Sequence, residues 1–298
     1  MLNFKKILFI FIGLSLILTQ TAQADNLRER IKQRFEALKQ INENTNIIRD
    51  LSYGSDPLQS MDIYAPKNAK NAPVILMVHG GAWRFGDKTS KDVFTNKISY
   101  WLPKGYVVIS TNYRLLPDAD AQKQSDDVVK ALIDAQKHAA EWGGDANKFI
   151  LMGHSSGAHL VSLVAANPAK AIVLGAKPWL GTVSLDSAAL DVPEIMSREH
   201  YKMYDDAFGN DATFWKSVSP IHQLTAQAAP YLLVCSTRRE LDSCENADHF
   251  ADKAKSLNVK ASVLRQDLSH MDINEQLGLD NDYSKQVDAF ITGLLPAN

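Results

Sequence analysis

Cysteine is scarce. Two in 298 residues supply neither a disulfide scaffold nor a Cys-rich zinc site. No sign of charge dominates either: 32 Lys+Arg stand against 34 Asp+Glu, a net −2, so no basic field is present to draw nucleic acid. No H-E-x-x-H and no cluster of carboxylates occurs, so nothing in the sequence calls for a metal. Glycine (15) and proline (11) are at ordinary levels without period or tract, which excludes collagen-like and low-complexity chains. What is there is a 45% hydrophobic, 22% charged chain of enzyme size, enough for one large domain or two small ones.

The longest apolar run, residues 7–18, sits at the very start. Lys5 and Lys6 precede it, and Ala22-Gln23-Ala24 follows as an A-x-A exit. This is the pattern of a secretory signal peptide over residues 1–24. The run is shorter than the ~20 apolar residues of a comfortable bilayer span. The expectation is an exported chain, periplasmic or secreted, with no stable membrane span after cleavage. Export changes the reading of Cys235 and Cys244. In an oxidising compartment they can pair, or one can be a buried strand thiol and the other incidental.

Leu27, Ile31, Phe35, Leu38 and Ile41 recur at three- and four-residue steps, an amphipathic helix that opens the mature chain. Strands are then expected over residues 47–53 and 60–64. Continuous apolar runs over 74–78, 106–110 and 149–152 read as buried, mostly parallel strands. Val128, Leu132, Ala135, Ala139 and Trp142 form a helical seam that Gly143-Gly144 ends. Residues 158–166, apolar nearly all round, read as a buried helix. Further strands fall over 180–185, 231–235 and 261–264, with helices over 245–257 and 283–294. Strand–helix alternation without a linker predicts one α/β domain over residues 25–298.

Gly153-His154-Ser155-Ser156-Gly157 lies between a buried strand and a buried helix, the context that a G-x-S-x-G nucleophile turn requires. So tight a turn holds the Ser155 hydroxyl clear of the backbone at a helix N-terminus, where partial positive charge favours an oxyanion. His79-Gly80-Gly81-Ala82-Trp83 follows the third strand. Its paired glycines can turn backbone N–H groups into a cleft, so Gly80, Gly81 and Ser156 are the expected oxyanion donors. His79 is expected to brace that loop.

Together with Thr111-Asn112-Tyr113-Arg114 and Leu268-Ser269-His270, these segments resemble an α/β-hydrolase, nearest the carboxylesterases with an HGGxW loop, a branch that includes kynurenine formamidase-like enzymes. The resemblance runs from about Asp50 to the C-terminus. It implies a mostly parallel sheet of about eight strands flanked by helices, a Ser–acid–His triad and no cofactor. Of the eight histidines, His270 alone directly follows the final expected strand, where the family carries its base. The resemblance places the acid after the strand 231–235. Asp242 is expected through its Asp-Ser step, with Glu240 as the alternative. Arg238 and Arg239 either balance that carboxylate or form a solvated basic step. The implied activity is hydrolysis of small acyl or aryl esters through an acyl-enzyme. An arylformamidase or amidase with the same triad, or a non-catalytic binding protein of this fold, are the alternatives. The aromatic-rich stretch between Asp186 and Pro230 is read either as a cap walling the substrate pocket or as a satellite core.

Overall fold

A computed structural model describes residues 43–239 and 243–296, with the side chains of residues 91–93 excepted. The expected signal peptide, the amphipathic helix after it, and both Glu240 and Asp242 lie outside the described residues. The strands are β1 (Thr45–Ser52), β2 (Ser60–Pro66), β3 (Ala72–Val78), β4 (Val107–Thr111), β5 (Gly144–His154), β6 (Gly181–Leu185), β7 (Tyr231–Ser236) and β8 (Ala261–Gln266). They form one eight-stranded sheet in the order β1-β2-β4-β3-β5-β6-β7-β8. The β1–β2 and β2–β4 pairs are antiparallel, and every pair from β4 to β8 is parallel.

The runs read as buried strands occupy the centre. In register, Leu76 stands between Ile109 and Leu151, and all three are fully buried. Successive side chains leave opposite faces. Val74, Leu76, Val78, Phe149 and Leu151 join one hydrophobic cluster with α2 (Ala121–His138), α3 (Ser156–Ala166) and α9 (Ser243–Ser256). Ile75, Met77, Ile150 and Met152 point the other way and are equally buried. On that second side α1 (Lys91–Trp101) meets the closing helices α10 (His270–Glu275) and α11 (Asp282–Leu294). Trp101 Nε1–H donates to Asp288 Oδ1 at 2.9 Å, and Lys97 Nζ donates to the Asn274 carbonyl at 2.7 Å. Covering both faces is what makes these strands read as continuous apolar runs and not as alternating ones.

Helix α2 begins where Asp120 accepts from Lys123 N–H at 2.9 Å, an N-cap. It ends at His138. A tight 3₁₀ turn then carries Trp142 into the core before Gly143 turns left-handed at φ 80°. The stretch after β6 is more ordered than its sequence suggests. It holds α5 (Val192–Met196), α6 (Lys202–Phe208), α7 (Ala212–Ser217) and α8 (Pro220–Gln223), while α4 (Pro168–Val173) follows α3. Each is too short to display a periodic apolar face. Cys235 and Cys244 form a disulfide, which links the end of β7 to the start of α9. Among the described residues no helix is long and apolar enough to cross a membrane.

Close packing of α3 under β3 depends on Gly157. A Cβ there would lie 2.3 Å from the Val78 carbonyl oxygen and 2.4 Å from that of His79. Backbone cannot withdraw as a flexible side chain does. Gly157→Ala is therefore expected to cost about 1–3 kcal/mol of stability, read as a lower urea midpoint at unchanged slope. An unaltered midpoint would contradict this packing.

Candidate active site

Every parallel strand of this sheet delivers its C-terminal end to the same edge, where a fold of this kind gathers its reactive groups. Ser155 leaves the end of β5 with φ 56° and ψ −119°, a strained conformation for a residue with a Cβ. Two hydrogen bonds hold it there: its N–H donates to the Leu185 carbonyl at 2.9 Å, and its carbonyl accepts from His159 N–H at 3.1 Å. The result is a hydroxyl that stands at the N-terminus of α3.

His270 opens α10 directly behind the loop from β8. Ser269 caps that helix with a full capping box, its side chain accepting from Asp272 N–H while the Asp272 carboxylate accepts from Ser269 N–H. Ser155 Oγ–H donates to His270 Nε2 at 3.0 Å. On the far side of the ring, His270 Nδ1–H donates at 2.5 Å to Oδ2 of Asp186.

That acid corrects the sequence reading. The carboxylate on His270 belongs to Asp186, directly after β6, whereas Asp242, the acid expected from the sequence, lies outside the described residues. Asp186 itself is left-handed at φ 56°, with its N–H donating to the Val234 carbonyl at 2.8 Å. Its Oδ1 accepts from Ser236 N–H and from Ser243 Oγ–H, both at 2.7 Å. Arg239 Nη1 donates to its backbone carbonyl at 2.9 Å and stands 3.3 Å from Oδ2. Burial pushes the carboxyl up, but the His270 hydrogen bond and the charge of Arg239 outweigh burial and hold it down at about 2. A signal was present in the sequence: Asp186 directly follows the apolar run 180–185, at the end of a buried parallel strand. Arg239 thus balances a buried carboxylate, whereas Arg238 pairs with exposed Asp267.

The loop after β3 turns back through two left-handed residues, Ala82 (φ 52°) and Trp83 (φ 59°), after Gly81 at φ 131°. Arg84 and Phe85 N–H groups both donate to the Gly81 carbonyl, which closes the turn. A Cβ on Gly81 would lie 2.1 Å from the Phe85 oxygen, so this position requires glycine on two counts. Gly80 passes close to the nucleophile, its missing Cβ 3.0 Å from that of Ser155. His79 braces the loop: Nδ1–H donates to the Gly80 carbonyl at 2.8 Å and the ring stacks on Tyr113 at 4.5 Å. Tyr113 in turn donates to the His79 carbonyl at 3.0 Å. Arg114 forks onto buried Asp127 through two 2.7 Å bonds, so both side chains of the Tyr-Arg step support the loop's flank.

Two further histidines lie beside the nucleophile, both buried. His154 Nε2–H donates to the His270 carbonyl at 2.9 Å, and its ring lies 4.6 Å from that of His270. Burial and the neighbouring His270 push His154 down to about 3, and burial pushes His159 down to about 4. In the stretch between Asp186 and Pro230, Tyr204 and Phe208 belong to the main core and pack on Trp83 of the glycine loop at 5.9 and 4.9 Å, while Tyr201 is exposed. Among the described residues no group of three or more His, Cys, Asp or Glu side chains is placed to hold a metal ion.

The buried histidines make acid stability a test. An unfolded chain protonates His154 and His159 near their ordinary value of about 6.5, and the fold refuses those protons until far lower pH. Stability from these groups is complete above ~6.5 and is lost as pH falls below it, with a slope approaching two protons. His79, also lowered by burial, adds to the loss, whereas half-buried His200, held up by Asp205, opposes it. Asp186 adds nothing in this interval, because its contribution is lost only as pH falls from about 4 toward 2. Urea unfolding at pH 7.5, 6 and 5 should therefore show progressive loss, and a flat profile would refute neutral burial.

A comparison with known families matches the BD-FAE model over residues 61–254. The chain is 31% identical to kynurenine formamidase of Meyerozyma guilliermondii, over 70% of this chain and 81% of that protein. It is 25% identical to esterase LipC of Mycobacterium tuberculosis, over 70% of this chain and 55% of that one. The chain spans about half the length of LipC and of the similar esterase LipQ. Among solved structures, a truncated carbohydrate esterase from gut microbiota superposes with TM-score 0.70 at 19% identity, covering 84% of this chain and 96% of that one. Esterase B from Lactobacillus rhamnosis does so at 0.66 and 18%, over 94% and 95%. With the eight-stranded order, the serine turn and the glycine loop in place, the chain belongs to the BD-FAE family, on the carboxylesterase- and formamidase-like branch of the α/β-hydrolases.

Proposed function

We propose that this protein is a serine hydrolase that cleaves carboxylic esters of small acyl or aryl substrates through an acyl-enzyme. The observation that carries the reading is the unbroken line from Ser155 Oγ to His270 Nε2 and from His270 Nδ1 to Asp186 Oδ2. In that arrangement His270 takes the serine proton as Oγ attacks the acyl carbon. The tetrahedral oxyanion is met by the N–H groups of Gly80, Gly81 and Ser156, the last an unpaired donor at a helix start. Collapse expels the alcohol, which leaves with the proton from His270. Water then attacks the acyl-enzyme with His270 again as base, and Ser155 regains its proton as the acid is released. Asp186 keeps the imidazole proton on Nδ1, which leaves Nε2 free to accept.

The similarity to a kynurenine formamidase over most of that protein favours one second reading, hydrolysis of an aryl formamide by the same groups. An aryl acetate and the N-formyl amine of the same aryl group, assayed side by side, separate the two. Export is part of the proposal. The Cys235–Cys244 disulfide fits an oxidising compartment, as does the N-terminal Lys-apolar-AxA pattern.

Ser155→Ala is expected to retain the fold and lose on the order of 10⁶ in kcat. A fluorophosphonate should label Ser155 in the native chain, and near-normal ester turnover by the variant would end the assignment. Asp186→Asn should lose about 10⁴ in kcat through the wrong imidazole tautomer, with Asp242→Asn losing far less. The reverse ranking would return the acid to the loop after β7.

A further inference from the structure

His159 lies one helical turn beyond Ser155, is fully buried, and has no step in the mechanism above. Its two ring nitrogens face different parts of the site. Trp83 Nε1–H donates to Nδ1 at 3.1 Å, so Nδ1 carries no proton. The proton is therefore on Nε2, which donates to the Val218 carbonyl at 2.8 Å. Trp83 ends the glycine loop, and Val218 caps α7 in the segment between β6 and β7. Phe208 closes the group, edge-on to both Trp83 (4.9 Å) and His159 (5.5 Å).

The loop needs such an anchor. Ala82 and Trp83 are successive left-handed residues, a conformation that persists only when its surroundings hold it. The Trp83 carbonyl accepts from Leu116 N–H at 2.9 Å and Gln124 Nε2–H at 2.8 Å, but the indole N–H has His159 as its acceptor. The segment that carries Val218 touches the same loop once more, where Asp206 stands 3.5 Å from Arg84.

We propose that His159 is a positioning residue: through Nδ1 it sets the oxyanion loop by way of Trp83, and through Nε2 it seats the β6–β7 segment as a wall of the acyl pocket by way of Val218. The proposal rests on the serine-hydrolase reading. It makes one neutral imidazole tautomer the joint between catalytic rate and acyl specificity, because the same ring cannot serve both partners in the other tautomer. Burial, which keeps His159 uncharged, is consistent with that role.

Two substitutions divide the joint. His159→Gln places an amide N–H near the position of Nε2 and keeps the Val218 bond, while Trp83 loses its acceptor. His159→Asn places a carbonyl oxygen near Nδ1 and keeps the Trp83 bond, while Val218 loses its donor. With 4-nitrophenyl acetate and hexanoate as probes, His159→Gln should lower kcat about tenfold to a hundredfold on both esters, with KM within about twofold, as for misplaced oxyanion donors. His159→Asn should act mainly on KM and depress hexanoate relative to acetate several-fold. Trp83→Phe, which removes the indole N–H together with part of the ring packed on Tyr204 and Phe208, should reproduce the His159→Gln pattern of lowered kcat at nearly constant KM on both esters and decides the loop arm if a His159 variant fails to fold. Equal losses of kcat and KM on both esters in His159→Gln and His159→Asn, or Trp83→Phe indistinguishable from the native chain, would overturn the proposal. Persistent ester turnover by Ser155→Ala would instead strike the underlying reading, so the two failures are distinct.

Discussion

A strained serine at the junction of β5 and α3 is the constraint on which the other parts are arranged. To hold Ser155 at φ 56°, its N–H must reach the Leu185 carbonyl on β6, and its carbonyl must start α3 through His159 N–H. That forces α3 against the end of β3, where only a glycine at 157 clears the carbonyls of Val78 and His79. The same contact brings the glycine loop alongside the nucleophile. Strain of this kind costs on the order of 1–3 kcal/mol and persists because packed strands on both sides leave the turn no room to relax. Central β5, with neighbours on each side in parallel register, is suited to supply that rigidity.

Around this turn the acid and two of the histidines are buried and yet partnered. Asp186 has four protein donors directed at its carboxylate, so it remains an anion in a place where an unpaired one would not. His154 and His159 take the opposite course and stay neutral, each with its tautomer determined by a carbonyl that accepts from Nε2. One buried charge and two buried neutral rings thus surround a single reactive hydroxyl. His270 has a partly exposed side chain, and the proposed mechanism uses that ring to exchange protons with substrate and water.

The sheet was legible because its central strands are apolar on both faces, and runs such as Val74–Val78 or Phe149–Met152 have no other use in a chain of this length. The serine turn and the glycine loop were legible because the G-x-S-x-G step falls between two buried apolar runs and because close backbone approach at Gly81 and Gly157 admits only glycine. Asp186 was not, because an acid can approach the histidine from more than one strand end, and sequence spacing does not say which strands are neighbours. In one dimension the loop after the strand 231–235 offers Asp242, through its Asp-Ser step, with Glu240 as the alternative. Helices α5 to α8 escaped for another reason: helices of four to seven residues are shaped by the surface they lie on, with Tyr204 and Phe208 pinned to Trp83 and not by any period of their own. Position alone separated His270 from the other histidines. The partners of His159 required the fold.

Asp186 and His270 follow strands that are not adjacent. β7 runs between β6, which leads into Asp186, and β8, which leads to His270. Neighbouring strands lie about 4.8 Å apart, so the two backbones are separated by roughly 10 Å, a gap that a carboxylate and an imidazole just close. Ser236, the last residue of the strand between them, touches both sides: its N–H donates to Asp186 Oδ1 at 2.7 Å and its hydroxyl to the Leu268 carbonyl at 2.6 Å. β7 therefore works as a gauge block, and its small terminal serine sets the width that the Asp186–His270 hydrogen bond spans. A bulkier side chain at that point would act like a thicker shim, spreading Asp186 from His270 from beneath without altering either residue.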